Sequence, residues 1–213
     1  MFSFMIEKET AVAYQAATEQ SLKVFKQKDP ARMARLGGGW YHPERSSILL
    51  PSLGQLLEVK CPEGTVNFKE TSFSPLWQWS LITTNYLGQT KGSQPTGNLI
   101  SFRELEGGQT FFPAFQNNTV SRLNRLPERA DLVEINNACL QLGGELSDRG
   151  DAGARINFFP RFPITVLFWK GDEEVSSSAS LLFDENANCY LHTEDIAVAG
   201  ALVAYFLSRL CIK

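Results

Sequence analysis

The sequence predicts an α+β fold: a single domain, 1–213, with a mostly antiparallel sheet, packed helices and an apolar C-terminal helix. Three observations predict it. Apolar runs at 46–50, 55–60, 154–159, 163–169 and 178–183 are short and bounded by Gly, Pro or polar residues, as strands are. The connections 160–162 and 170–177 are too short for a parallel crossover, which takes a dozen or more residues. Segments with apolar residues three or four apart lie before, between and after these runs, as amphipathic helices require.

The elements follow in order. Residues 5–27 carry a helical stripe through Tyr14, Thr18, Leu22 and Phe25, and Asp29-Pro30 stops it, because a residue before proline avoids helical angles. After Gly37-Gly38-Gly39, residues 40–68 read as a small meander punctuated by Pro51, Gly54, Pro62 and Gly64. Ser74-Pro75 has the chemistry of a helix start, with a capping hydroxyl and proline in the first turn, and Gly88 fits its end. Residues 89–97 are a polar loop, and 98–102 a strand. Helices are expected at 113–124 and 127–142, then the three strands already named. Thr193 opens a last helix at 194–210, with Glu194 and Asp195 in its first turn and Arg209 near its end, each on the side that the helix dipole favours. Its middle, 196–207, is apolar almost all round, which places it in the core or at a subunit interface. A small N-terminal subdomain, 1–71, is the alternative organisation.

Composition narrows the function classes. The chain has 213 residues and a net charge of −3. Its densest basic group, Arg122, Arg125 and Arg129, is interrupted by Glu128 and Asp131, so the footprint of a nucleic-acid binder is missing. No apolar run reaches the roughly 20 residues that cross a bilayer, and the N-terminus lacks a signal-peptide core. Cys61, Cys139, Cys189 and Cys211 make no CxxC pair and read as separate reduced thiols. These features point to the cytoplasm.

Three polar constellations could carry chemistry. Asp172 and Glu173, with Glu174, form an acidic turn between two strands, and Asp184 ends the second. Carboxylates so grouped suit an oxygen-preferring cation, although alternate strand residues face opposite ways, and charge also protects a hairpin edge. His192 stands beside Thr193, Glu194 and Asp195, an arrangement open to metal binding, to acid–base work or to ordinary helix capping. Asp148, Arg149 and Asp151 form a polar loop able to grip a small ligand or simply to turn the chain. Lys91, in the 89–97 loop, joins Asp148, Arg149, Asp151, Asp172 and Glu173 as a ligand-binding candidate. Asp172, Glu173, Asp184 and His192 are the metal candidates. The glycine groups lack the Gly-Lys-Ser/Thr order of a phosphate loop, and neither His42 nor His192 sits beside a nucleophile motif. The phenylalanines at 111, 112, 115, 158, 159 and 162 are core by their spacing, and Trp77 and Trp79 cannot share one helix face.

Beyond these patterns, four strings resemble a known family: RFPITVLFWKGDEEV at 161–175, ASLLFD at 179–184, YLHTED at 190–195 and PTGNLISFREL at 95–105. They are similar to an uncharacterised prokaryotic family catalogued as domain of unknown function 3786, over a stretch from about Trp40 to the C-terminus. The resemblance implies relatives in anaerobic bacteria and archaea. Some of these carry a cysteine-rich iron–sulphur module similar to that of corrinoid proteins, so an iron–sulphur or corrinoid protein partner is implied by association. This chain has no such module. The resemblance supplies no catalytic residue. The expectation is a binding module for a small molecule or cofactor; the alternatives are a metal-assisted enzyme and an interaction or structural module, the last in a homo-oligomer through the apolar final helix.

Overall fold

A computed structural model describes residues 2–8 and 15–211. Helix α1 spans Gln15–Lys26. The expected start at residue 5 is corrected: Ser3–Met5 is a single 3₁₀ turn, and Ile6 bridges Pro75 in extended form. Residues 9–14 of that expected helix lie outside the described residues. A helix not anticipated, α2, spans Pro30–Gly37. Asp29 caps it by accepting the Arg32 N–H at 2.7 Å, and Gly38, in the left-handed region at φ 76°, ends it. The Asp-Pro pair therefore stops one helix and begins the next.

The meander is a four-stranded antiparallel sheet in chain order: β1 (Trp40–His42), β2 (Ser47–Ser52), β3 (Gln55–Lys60) and β4 (Val66–Phe68). Ile48, Leu50, Leu57, Val59, Val66 and Phe68 alternate inward. Leu53 and Gly54 form its two-residue turn with φ of 48° and 70°, the pair of left-handed angles a tight hairpin needs. Pro51, expected as punctuation, is inside β2 opposite Leu56.

Helix α3 spans Trp77–Gln89. Its first amide is satisfied from far away in sequence: Glu7 accepts the Trp77 N–H at 2.7 Å. Ser74 does not cap it, because its hydroxyl donates to Asn67 at 2.9 Å. Gly88 lies inside the helix, not beyond it.

The second sheet has five antiparallel strands, β5 (Leu99–Ser101), β6 (Gly144–Leu146), β7 (Ala152–Phe159), β8 (Phe162–Trp169) and β9 (Ser178–Asp184), in the order β5-β9-β8-β7-β6. The antiparallel neighbours expected from short connections are thus present. Between β5 and β6 the chain is helical: α4 (Gly108–Phe115), a π turn (Gln116–Val120), α5 (Ser121–Asn124) and α6 (Leu132–Gln141). Two expected starts are corrected. Pro113 sits inside α4, which begins five residues earlier at Gly108. α6 begins at Leu132 rather than Pro127, because Asp131 and Glu134 form a reciprocal capping box there, with bonds of 2.7 and 3.0 Å.

The last helix, α7, spans Thr193–Cys211. Ile196, Ala199, Val203, Phe206 and Leu207 are buried. Gly200 lets it approach α4 closely, since a Cβ there would stand 2.8 Å from the Phe115 ring. Both sheets share one hydrophobic core. Trp79 sits at their junction, near Phe68 of the first sheet, Phe158 of the second and Phe206 of α7. Its indole N–H donates to Ser52 at 2.9 Å, and the Ser52 hydroxyl donates to the Phe158 carbonyl at 2.5 Å. Among the described residues no helix is long and apolar enough to cross a membrane.

Candidate functional site

The acidic turn is built from backbone chemistry. The Asp172 carboxylate accepts the N–H groups of Glu174 at 2.9 Å and Val175 at 2.8 Å, and these bonds hold its pKa below the usual value. Glu173 is exposed beside it. Asp151 likewise accepts the Lys170 N–H at 2.8 Å, and Ser147 accepts that of Arg149 at 3.0 Å. Asp148, Arg149 and Asp151 are therefore exposed residues of a turn at the same end of the sheet as Asp172.

Asp184 lies elsewhere. It is at the opposite end of β9 from the acidic turn, roughly 20 Å away by strand rise. It is buried, and its carboxylate accepts the N–H groups of Gly97 at 2.7 Å and Asn186 at 3.1 Å, which fastens the polar loop to the sheet. His192 is exposed at the start of α7. The metal candidates Asp172, Glu173, Asp184 and His192 are thus not brought into one group. Among the described residues no cluster of three or more His, Cys, Asp or Glu could hold a metal ion. Lys91 is exposed over a hollow edged by Asp29, Arg32 and Leu36, which none of the other ligand candidates lines.

Thr193 does not cap α7. Its hydroxyl donates to the Glu106 carbonyl and accepts from Asn188 at 3.0 Å. Asp195 faces a recess of about 330 Å³ with Asn85 and His192. Burial pushes its pKa up, although Asn85, at 3.1 Å from each carboxylate oxygen, and His192 pull the other way. Cys61, Cys139 and Cys211 are unsuited to nucleophilic work. Burial raises the thiols of Cys61 and Cys211 to about 11 and that of Cys139 to about 12, and all four are free.

A cleft of about 980 Å³ lies apart from these groups. One wall is the start of α3, with Leu76, Trp77 and Gln78. A second is the half-buried stripe of α7, with Val198, Ala201 and Tyr205. This stripe accounts for a helix apolar almost all round: one side fills the core and part of the other lines the cleft. The third wall is the π turn, α5 and the segment after it, contributing Asn117, Asn118, Ser121, Arg122, Arg125 and Arg129. The local fold explains the arginines. Leu123 and Leu126 are buried, while Arg122 and Arg125, the residues just before them, are exposed, as is Arg129. Asn124 accepts the Ala179 N–H at 2.8 Å and pins α5 to the start of β9. The Ser121 hydroxyl donates to the Gln116 carbonyl at 3.0 Å across the widened turn. Such π turns inside helices are frequent at functional sites.

The cleft is electropositive. Three guanidinium groups face one carboxylate, Glu7, which is engaged by the N–H groups of Trp77 and Lys8. No ion pair joins these arginines to a carboxylate among the described residues. Arg122 lies over the Tyr205 ring, 5.8 Å from its centre. The Gln78 side-chain oxygen is buried and has no hydrogen-bond partner. Sequence reasoning noticed the arginine triplet but weighed it only as a nucleic-acid face. The signal that could have found the site was its spacing of three and four around two buried leucines.

A family model described as "Domain of unknown function" (DUF3786) matches residues 29–206. No curated protein and no solved structure matches the chain.

Proposed function

The chain belongs to the DUF3786 family, which carries no assigned chemistry, and we propose that this member is a binding module for a small anionic molecule, held in the cleft between α3, α5 and α7. The observation that carries this is the set Arg122, Arg125 and Arg129, converging on a concave surface without carboxylate partners among the described residues. Guanidinium is charged at every physiological pH, and its planar fork matches carboxylate and phosphate. The apolar wall from Leu76, Val198 and Ala201 suits a ligand with a non-polar body behind its anionic group. The cleft is large enough for a metabolite-sized molecule, about 980 Å³ against the usual few hundred to one thousand. Four free cysteines favour a reducing compartment such as the cytoplasm.

The test is a thermal-shift screen of anionic metabolites on the full chain, followed by calorimetry of each hit. Replacing Arg125→Gln and Arg129→Gln together is expected to weaken binding at least tenfold, and raised salt to weaken it further. Both side chains are exposed, so the fold should persist. Asp172→Ala should leave the affinity unchanged. Anionic hits indifferent to the arginine pair, or hits lost with Asp172, would overturn the assignment.

A further inference from the structure

We infer that the ligand is a small phosphomonoester, its dianionic phosphate at Arg122, Arg125 and Arg129 and its ester group on the apolar walls; this rests on the anion-binding reading of the same cleft. The argument starts from where the charge lies. All three guanidinium groups belong to one wall, at a spacing of three and four residues. The chain keeps turning between them, with the Leu126 N–H on the Leu123 carbonyl and the Arg129 N–H on the Leu126 carbonyl, each at 2.9 Å. The side chains of Arg125 and Arg129 have no hydrogen-bond, ion-pair or ring partner among the described residues. Arg122 lies over the Tyr205 ring, a contact that brings it no acceptor. Three cations thus stand together at one end of the cleft with their N–H donors unspent.

Donor count and charge then select the anion. A carboxylate has two oxygens, which one guanidinium fork already fills. A monocarboxylate would leave two of the three cations uncompensated. A phosphomonoester carries about −1.5 to −2 of charge at neutral pH on three terminal oxygens, enough to take several forks at one point. The cleft has the matching charge, since three guanidinium groups and the one carboxylate of Glu7 leave an excess of two positive charges. Glu7 also disfavours longer polyanions. It edges the cleft opposite the arginines, so a dicarboxylate or diphosphate reaching across would meet a like charge. The surface that remains, from Leu76, Val198 and Ala201, is apolar and suits the non-polar body of an ester. Inorganic phosphate would use the arginine wall and leave this surface bare.

Calorimetry on the full chain with phenyl phosphate, phenyl sulfate, benzoate and inorganic phosphate tests this. Phenyl sulfate has the ring and the three terminal oxygens of phenyl phosphate but a single negative charge, so the pair separates charge from shape. Phenyl phosphate is expected to bind at least tenfold tighter than phenyl sulfate or benzoate, and severalfold tighter than inorganic phosphate. Its advantage over the sulfate should shrink between about pH 8 and pH 5, as the phosphate takes up its second proton near pH 6. Glu7 and Tyr205, the titratable groups on the cleft besides the arginines, act on both ligands alike, so the ratio reads the charge of the ligand. Arg129→Gln, at an exposed position, should weaken phenyl phosphate tenfold or more and the sulfate less. Phenyl sulfate or benzoate that binds as tightly as phenyl phosphate, or a ratio unmoved by both acid pH and Arg129→Gln, would overturn the dianion assignment and leave the anion-binding reading standing. Phenyl phosphate no tighter than inorganic phosphate would overturn the ester. If none of these anions binds, or if all bind equally well after Arg125→Gln and Arg129→Gln together, the anion-binding reading falls as well.

Discussion

Asp195 shows how one residue can satisfy a local rule and strain a tertiary one. Its place in the first turn of α7 favours a negative charge. The packing around it does the opposite, and burial lifts its pKa above the ordinary 3.8 despite Asn85 and His192. The sign of the linkage follows. An acid whose pKa is raised by folding binds its proton more tightly when folded, so its stabilising contribution is complete below the unfolded value and fades as pH rises through the folded one. Asp195→Asn removes the ionisation and keeps an acceptor for Asn85. The expected outcome is a variant that melts a few degrees above the parent at pH 7 and converges with it below about pH 3.8, read by thermal denaturation across pH. At this scale the sequence was legible where chemistry is local. Asp172 proved to be a turn former, a role weighed from its neighbours alone, whereas Asp151 ties its turn to the end of β8 through the Lys170 N–H. Gln78 was not legible, because nothing in its flanking residues says that its oxygen is shielded and unpaired.

Helix boundaries depended on whether the capping group was near in sequence. Asp131 and Glu134 are three residues apart and their box could have been read, yet proline drew the expected start to 127. α3 could not be read in this way, since its cap is Glu7, brought in by the bridge between Ile6 and Pro75. That segment precedes the family match at 29–206, so this helix start is secured by residues outside it. Glu7→Ala is expected to destabilise the protein by about 1 kcal/mol, the usual worth of a lost N-terminal cap, measured by urea denaturation. Since Glu7 also edges the cleft opposite the arginines, the same variant should bind the anionic ligand slightly more tightly. An unchanged urea midpoint would show that water replaces the carboxylate without loss.

The whole molecule is held as one body by the seam between its sheets. Trp79, Ser52 and the Phe158 carbonyl form a buried relay that links α3, β2 and β7, reinforced by the Leu53 N–H donating to the Asn157 carbonyl at 3.2 Å. Ser52→Ala would strand a buried indole N–H and a buried carbonyl together. At about 1–3 kcal/mol for each orphaned group, and with partial relaxation, the expected loss is about 2–4 kcal/mol. Equilibrium unfolding should remain a single transition if the sheets share one cooperative core; two separated transitions would show that the seam is what couples them.

The sequence by itself determined the fold class, the antiparallel second sheet, the buried character of most cysteines and phenylalanines, and the family. Each of these is written in short-range periodicity, connection length or a local string, and short-range patterns survive any later choice of packing. The tertiary structure alone decided where the candidate site lies. The chain's most chemical-looking groups, Asp172, Glu173, Asp184 and His192, are dispersed because β9 separates the carboxylates and backbone amides already occupy Asp172 and Asp184. The cleft instead gathers Gln78, Arg125 and Tyr205 from three helices that are distant in the chain. Convergence of that kind depends on how helices cross over a shared core, and no window along the sequence contains it.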